Sequence, residues 1–266
     1  MSKLSVKFSQ ENAQTCYIKT ITTGGLATYA RDTGYVAGIT TVAWAAHTIA
    51  QDRGIKLNID ALDSKEAMTS ILEIAATFTK QDVIPEIDAY RFEKLCTLAG
   101  LDVSANLTYD TALAAIDTGI AALDDAEVPV DGRVLFVSNA MYALLKQGDP
   151  INIRIATATS GVLNREILVL DGMPLIRVPT GRFCNNFDFS ATDGFSKATG
   201  SKNLNFVIAD KNAIAAVTKY AAPKIVDKAD NQTADAYLFG YRTQYDLFVP
   251  ENKKSAVYIH AESDTN

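Results

Sequence analysis

Short β-prone stretches alternate with glycine-rich breaks along the first 60 residues, a pattern typical of strands rather than helices. Residues 16–21 and 39–50 favour strands, and residues 24–38 between them include four glycines and an aspartate. This spacing predicts two extended arms joined by a glycine-rich tip. Threonine and alanine dominate the arms and large aliphatic side chains are few, so the ribbon cannot bury itself and needs another surface to pack against.

A strand and a long helix are predicted next. Residues 55–59 alternate apolar and polar side chains, the two-residue period of a strand with one buried face. Asp63 and Glu66 then form a capping-box signature for a helix start. Apolar residues recur at helical spacing beyond it, which predicts one helix over residues 64–99 with a bend near Pro85.

The second half of the chain predicts a mixture of helices and strands. Asp171 and Gly172 lie between two apolar runs, which is a strong hairpin signal. Asp210 is predicted to cap a helix that ends at Tyr220. The other predicted elements are a helix over residues 108–125, a short helix ending at Lys146, strands over residues 133–137, 167–170, 173–178, 204–209, 236–249 and 256–261, an extended segment over residues 223–226, and a loop over residues 181–202.

Composition indicates a folded protein that does not grip nucleic acid. Apolar residues make up 48% of the 266, enough for one large domain or two modest ones. The formal net charge is −6, and no run of Lys or Arg is longer than two. A phosphate-binding surface needs clustered cations, so the charge pattern argues against a protein that reads nucleic acid.

Three widely spaced cysteines fit neither a disulfide framework nor a metal clip, which favours a reducing compartment. The amino-terminal residues lack the apolar core of a signal peptide, and the apolar stretches are shorter than the ~20 residues that span a bilayer. We therefore expect no membrane partner and a location in the cytoplasm unless lysis releases the protein.

Residues that could support catalysis are few and scattered. His47 and His260 are the only histidines, and Cys184 stands beside Asn185 without a base nearby in the sequence. Residues 194–202 resemble a phosphate loop only superficially, because they contain no Gly-Lys pair. We expect no catalytic residues, no cofactor and no metal site, with structural or solvent-facing roles for the histidines and an inert cysteine.

Charged residues cluster on the predicted long helix. Glu86, Asp88 and Glu93 lie close to Arg91 and Lys94 in the sequence. They are compatible with acid/base chemistry, but pairing at three- and four-residue spacing along a helix favours an ion network that is solvated or lies at an interface.

Four short motifs stand in a characteristic order along the chain. They are Gln51-Asp52-Arg53-Gly54, the block over residues 85–91, Asp171-Gly172-Met173-Pro174-Leu175-Ile176 followed by Val178-Pro179, and Ala234-Asp235-Ala236-Tyr237 running to Asp246-Leu247-Phe248-Val249. Together with the glycine-tipped arm and the long helix, they resemble the major capsid proteins of tailed bacteriophages, whose fold is the Hong Kong 97 type. The resemblance extends over nearly the whole chain.

The resemblance implies an α+β fold with the parts that this family shares. Residues 1–15 would form the N-arm, and residues 16–54 the E-loop, an extended hairpin that lies across a neighbouring subunit. Residues 55–100 would form the P-domain with its long spine helix, and residues 236–266 its carboxyl-terminal strands. Residues 101–235 would be mainly the A-domain.

The resemblance also implies a function in assembly rather than catalysis. The subunits would form pentamers and hexamers of an icosahedral shell that packages phage double-stranded DNA without sequence-specific binding. The expected partners are further copies, a scaffolding protein and a portal protein, and the expected location is the virion capsid, assembled in the host cytoplasm.

Two features depart from some family members. The chain starts almost directly at the N-arm, so we expect a separate scaffolding protein, unless the numbering omits a removed part. Residues 20–50 contain no lysine, so a crosslink from an E-loop lysine is not supported.

Two alternatives remain open, an encapsulin-like nanocompartment shell and a soluble α+β hydrolase or transferase. The contents of the particle would distinguish the first, and a pocket containing His47 or Cys184 would favour the second.

The candidate contact residues follow from residue type. Tyr29, Arg31, Tyr35 and Trp44 are predicted interface anchors on the E-loop, because aromatic residues and arginine dominate protein–protein contacts. The alternative is that they decorate a surface loop. The charged helix residues Glu86, Asp88 and Arg91 are further candidates for contacts between subunits.

Overall fold

The computed structural model describes residues 6–8, 12, 14–60, 67–147, 169–190, 194–232 and 236–263. The strands are β1 (Val6–Phe8), β2 (Thr15–Thr23), β3 (Thr40–Thr48), β4 (Gln51–Asp60), β5 (Leu101–Ser104), β6 (Arg133–Ser138), β7 (Val169–Leu170), β8 (Met173–Val178), β9 (Phe187–Asp188), β10 (Ser196–Lys197), β11 (Leu204–Asp210), β12 (Ala215–Val226), β13 (Ala236–Phe248) and β14 (Val257–Ala261). The helices are α1 (Ala67–Phe78), α2 (Ile84–Leu98), α3 (Tyr109–Asp125) and α4 (Asn139–Gln147), with short 3₁₀ turns at Thr180–Arg182 and Glu251–Ala256. This mixture of helix and sheet confirms the α+β prediction.

The described strands form four sheets. A six-stranded sheet has the order β5-β14-β11-β6-β8-β7, with parallel pairing between β14 and β5 and between β6 and β8. A three-stranded sheet has the order β12-β13-β4, and a second has the order β1-β2-β3. The strands β9 and β10 form a small hairpin within the predicted loop.

Helices cover both faces of the six-stranded sheet. Phe206 and Ile208 of β11 pack with α3 and α4, while Val207 and Ala209 pack with α2. Alternate residues of a strand point to opposite faces, so the near-continuous apolar sequence of β11 follows from its burial on both sides.

The predicted long helix is continuous but contains a wide turn. Residues Thr79–Val83 form a π-helical turn between α1 and α2, just before Pro85. Proline has no N–H to donate and its ring crowds the carbonyl four residues earlier, and the wider turn accommodates both effects. The structure thus has a helical irregularity close to Pro85, and the predicted bend itself stays a prediction. The predicted capping residues Asp63 and Glu66 lie outside the described residues.

The predicted helix from Asp210 to Tyr220 was wrong. The segment after Asp210 does not form a helix, since Ala215–Val226 is the long edge strand β12. The Asp210 carboxylate accepts a hydrogen bond from the backbone N–H of Asn212 at 2.9 Å, which makes a tight turn instead of a helix cap. Local alanine-rich composition favours a helix, but pairing with β13 along its length overrides that preference.

Other predictions are confirmed. Asp171 and Gly172 both have positive φ and join β7 to β8 as a tight hairpin, although the predicted start of this hairpin lies outside the described residues. The predicted helix over residues 108–125 is α3, and a capping box at its start was not predicted: the side chain of Thr111 accepts from the Thr108 backbone N–H at 2.9 Å. The extended segment after Pro223 continues β12, where an edge position tolerates proline.

No helix in the described part of the chain is both long enough and apolar enough to cross a membrane.

The close approach of α3 to the sheet generates a stability prediction. A Cβ atom added at Gly119 would lie 2.9 Å from the buried Tyr258 ring and 3.1 Å from Ile208. We expect Gly119→Val to lower the free energy of unfolding by about 1–3 kcal/mol, because overpacking exceeds any gain in helix propensity. Gly181→Val is the matched control, since nothing lies within 4 Å of its added Cβ. Equal denaturation midpoints for both variants and the wild type would contradict this packing.

Candidate assembly surface on the extended ribbon

The segment from β2 to β3 forms a long two-stranded ribbon, defined here as residues 15–48. Its strands pair in register from Thr15 opposite Thr48 to Thr23 opposite Thr40. Residues 24–39 form the tip, in which Gly34 has a φ of 77° and its N–H donates to Ala30. The two arms and the glycine-rich tip predicted from the sequence are confirmed.

The base of the ribbon packs against its own subunit. Cys16, Ile18 and Ile49 are buried together with Val217 of β12 and Phe248 of β13. This contact provides part of the packing surface that the ribbon was predicted to require. It ends a few residues along the ribbon, because Thr20 and Thr22 continue the same face of β2 into exposed or half-exposed positions.

The opposite face of the ribbon carries exposed apolar side chains, and Lys19 lies on it directly across from Trp44. Ile21, Val42 and Trp44 share this face, and their exposed fractions are 53%, 54% and 46%. They point away from the side on which Cys16 and Ile18 pack, so the described part of the subunit leaves this patch open to solvent. Exposed apolar patches of this kind mark interaction surfaces.

The tip carries the other predicted anchors. Tyr35 is 93% exposed, and its ring meets the ring of Tyr29 edge-on with centroids 5.1 Å apart. Arg31 is exposed between them in the sequence. The structure thus groups Tyr29, Arg31 and Tyr35 on the tip and leaves Trp44 on the shaft. Their contact with another copy stays a prediction.

A buried carboxylate fixes the base of the ribbon to the body of the subunit. Asp246 is fully buried, and its Oδ2 accepts a hydrogen bond from the backbone N–H of Ala50 at 2.9 Å. Its Oδ1 accepts from the Tyr90 hydroxyl at 2.8 Å and from the Leu247 N–H at 2.7 Å. Three donors compensate for the loss of water around the charge, and they join the end of the ribbon, α2 and β13 at one point.

The pKa shifts of the residues at this junction follow from their burial and from the nearby charge of Asp246. Burial raises the pKa of the Tyr90 hydroxyl, and the negative charge of Asp246 raises it further. Tyr90 therefore remains a donor at any ordinary pH. Burial lowers the pKa of His47, whose ring packs against Phe248 with centroids 4.8 Å apart.

The candidate Glu86 is held by partners within its own chain. Its carboxylate pairs with the Arg53 guanidinium at 2.7 Å and accepts a hydrogen bond from the Tyr245 hydroxyl at 3.2 Å. Arg53 also donates to the backbone carbonyls of Phe189 and Gly194, at 2.6 and 3.0 Å. This network ties β4 to α2 and to the β9–β10 segment.

Asp88 and Arg91 likewise contact other elements. Asp88 pairs with Arg182 at 3.0 Å, and Arg91 donates to the Thr218 hydroxyl of β12 at 3.3 Å. Burial raises the pKa of Asp88, while Arg182 and Arg91 act against that shift. The partners come mainly from distant segments rather than from helical neighbours, and a contact of these residues with another copy stays a prediction.

A groove of about 1000 Å³ lies between the helix and the β4–β13 face. Phe78, Tyr241 and the Arg53–Glu86 pair contribute to its lining, but neither His47 nor Cys184 does. His260 is buried beside Asn205 at 3.1 Å, and the Cys184 thiol donates to the Lys202 carbonyl at 2.9 Å. The groove therefore does not include the two residues that would favour an enzyme.

Sequence reasoning missed Asp246 and Arg53 as organising residues. Asp246 was included only within a motif, although a carboxylate between Tyr245 and Leu247 in an apolar strand indicates a buried charge that needs donors. Arg53 gave no comparable signal, because its partners lie far away along the chain.

The role of Asp246 is testable by an isosteric change. Asp246→Asn would place an amide donor against one of the three existing donors, so we expect the free energy of unfolding to fall by about 1–3 kcal/mol. The exposed Asp230→Asn serves as control and should change stability by less than about 0.5 kcal/mol. Chemical denaturation measures both, and equal stability of the two variants would contradict the anchoring role.

A second carboxylate near the ribbon base generates a prediction of pH dependence. Hydrogen bonds from Arg242 and Gln244 lower the pKa of Asp52 from 3.8 to about 2. A lowered pKa in the folded state adds stability above the unfolded-state value, and this contribution disappears as the pH falls towards about 2.

We therefore expect the stability difference between wild type and Asp52→Asn to be constant above about pH 5 and to shrink between about pH 5 and pH 2. Denaturation at several pH values measures it. Arg242→Gln should remove most of this pH dependence, and an unchanged dependence in that variant would rule out the ion pair as its cause.

No family model matches the sequence, and no curated protein matches it. Solved structures do match. A structure titled as the asymmetric unit of the bacteriophage PhiM1 mature capsid aligns with a TM-score of 0.66 at 12% identity, over 97% of this chain and 84% of that chain. A structure from Mycobacterium phage Che8 aligns with a TM-score of 0.58 at 17% identity, over 94% and 85%.

A virus-like particle from Pyrococcus furiosus aligns with a TM-score of 0.54 at 12% identity, over 93% of this chain and 86% of that one. Each likeness extends over nearly the whole chain, and identities this low establish a shared fold. The chain therefore has the Hong Kong 97-type fold of phage capsid proteins.

Proposed function

We propose that this chain is a major capsid protein, the structural subunit of a closed icosahedral shell built from pentamers and hexamers. The observation that carries the proposal is the exposed apolar face of the ribbon, in a chain that has a capsid fold. Full burial of one large apolar side chain contributes about 1.5–3 kcal/mol. Burial of this patch by a neighbouring copy stabilises the contact between the two copies. The symmetry of the shell repeats the same contact many times.

The proposed cargo is phage double-stranded DNA, held without sequence-specific contacts. An acidic chain with a net charge of −6 suits a wall that does not bind its contents tightly. We include a separate scaffolding protein and a portal protein among the partners, and assembly in the host cytoplasm followed by residence in the virion. The role is structural and involves no catalysis.

A second candidate is a nanocompartment shell that encloses protein. The structural likeness to a virus-like particle from Pyrococcus furiosus supports this candidate, because that particle is built from a similar fold. Purified particles would distinguish the two candidates by their contents, since packaged DNA supports a phage capsid and a protein cargo supports a compartment.

Electron microscopy of the purified chain in negative stain tests the proposal directly. We expect shells, tubes or capsomer rings, formed alone or with a scaffolding protein. A discrete monomer at high concentration under both conditions would contradict it.

The ribbon patch itself is tested by substitution. Trp44→Ser should raise the protein concentration needed for assembly about tenfold or more, because it removes apolar area from the contact between copies. Its free energy of unfolding should change little, since the side chain is half exposed in the subunit. Thr41→Ala, an exposed position on the opposite face of β3, is the control and should assemble like the wild type. If both variants assemble at the same protein concentration, Trp44 does not contribute to the contact between copies.

A further inference from the structure

The three-stranded sheet β12-β13-β4 has two faces with different surroundings. Alternate residues of a strand point to opposite faces. On one face, Phe239 and Tyr241 of β13 meet the ring of Phe78 in α1, with centroids 6.2 and 6.0 Å apart. On the other face, Arg242 of β13 pairs with Asp52 of β4, and the arginine side chain is 62% exposed. This second face therefore points away from the long helix and is open to solvent.

Two unpaired lysines lie on the open face. Lys56 of β4 and Lys224 of β12 both stand directly opposite Gly240 of β13. Cross-strand partners share a face, and two strand spacings place the two lysine Cα atoms about 10 Å apart. Both lysines are exposed, and neither forms an ion pair with a residue that the structure describes. Because Gly240 has no side chain, bare backbone lies between them.

Arg242 adds a third cation beside this glycine. It follows Gly240 by two residues, so both lie on the same face. Its Nε donates to the Asp52 carboxylate at 2.8 Å, and the Gln244 side chain donates to the same carboxylate at 2.8 Å. These bonds hold the guanidinium in place while much of it stays exposed.

The charge of this face is opposite in sign to that of the whole chain. We define the basic face as the side of residues 52–58, 220–226 and 238–244 that points away from the long helix. It carries three cations and one carboxylate. The whole chain has a net charge of −6, so the excess of positive charge here is local. Charge complementarity favours an anionic partner.

Uncharged side chains on the basic face indicate which kind of anion fits. Tyr220 is 48% exposed and stands opposite Gln244. Val226 and Leu238 stand opposite each other and are partly exposed. Protein–protein contacts combine tyrosine and arginine with apolar area, whereas a phosphate backbone needs denser cations and is repelled by a carboxylate such as Asp52. The mixture therefore favours an acidic protein segment over nucleic acid.

We propose that the basic face binds an acidic segment of a partner protein, with carboxylates of that segment against Lys56 and Lys224. None of the residues of this face belongs to the ribbon, so the proposal is independent of the contact between ribbons and neighbouring copies. It goes beyond the proposed function, because binding does not require that copies assemble.

Binding of an acidic probe to the full chain tests the proposal. Fluorescence anisotropy measures the affinity of a labelled peptide of about ten glutamates for free subunits, and this affinity should fall severalfold at about 0.5 M salt. We expect Lys56→Glu combined with Lys224→Glu to weaken binding about tenfold or more, since two attractions become repulsions. Lys7→Glu combined with Lys80→Glu makes the same change of net charge at two exposed positions elsewhere and should bind like the wild type.

The outcomes separate this proposal from its alternatives. Equal binding by the wild type and the Lys56→Glu, Lys224→Glu variant, or no binding by the wild type, would overturn it. A labelled DNA duplex that binds the wild type more tightly than the peptide does would also overturn it, because the face would then favour phosphates. Lys56→Gln combined with Lys224→Gln provides a milder variant if the first does not fold, and it should still weaken peptide binding. Trp44→Ser should leave peptide binding unchanged, so failure of the assembly proposal is distinguishable.

Discussion

The ribbon extends farther than the described part of its own subunit covers, and the proposed assembly depends on this constraint. Threonine and alanine fill much of its length, so the two strands gain little from packing on each other. One face is buried at the base against β12 and β13, and the opposite face carries the exposed apolar side chains of Ile21, Val42 and Trp44. We propose that neighbouring copies cover this open face, because the chain has a capsid fold.

Hydrogen bonds hold the base of the ribbon, whereas its tip is exposed. Asp246 accepts hydrogen bonds from the ribbon end, α2 and β13 within the core, so the direction of the ribbon is coupled to the long helix. The Arg53–Glu86 pair adds a second connection between β4 and the same helix. These bonds order the base of the ribbon within the subunit, which lowers the entropy cost of the contact that we propose.

Predictions from the sequence succeeded where the pattern was local. The glycine-rich tip, the strand β13 and the Asp171–Gly172 turn all depend on residues a few positions apart. The helix predicted after Asp210 was wrong because its partner strand β13 begins at Ala236, beyond the reach of local propensity. The contacts of Asp246 with Ala50 and Tyr90 join distant segments, so no spacing rule could have indicated them.

The most direct measurement uses Trp44, the single tryptophan of the chain, as a reporter on the open face of the ribbon. Iodide quenching of its fluorescence compares the free subunit with the assembled particle. Burial by a neighbouring copy predicts a severalfold loss of quenching and a blue shift of the emission on assembly. If iodide quenches Trp44 equally in the particle and in the free subunit, another copy does not cover this face of the ribbon, which would contradict the proposal.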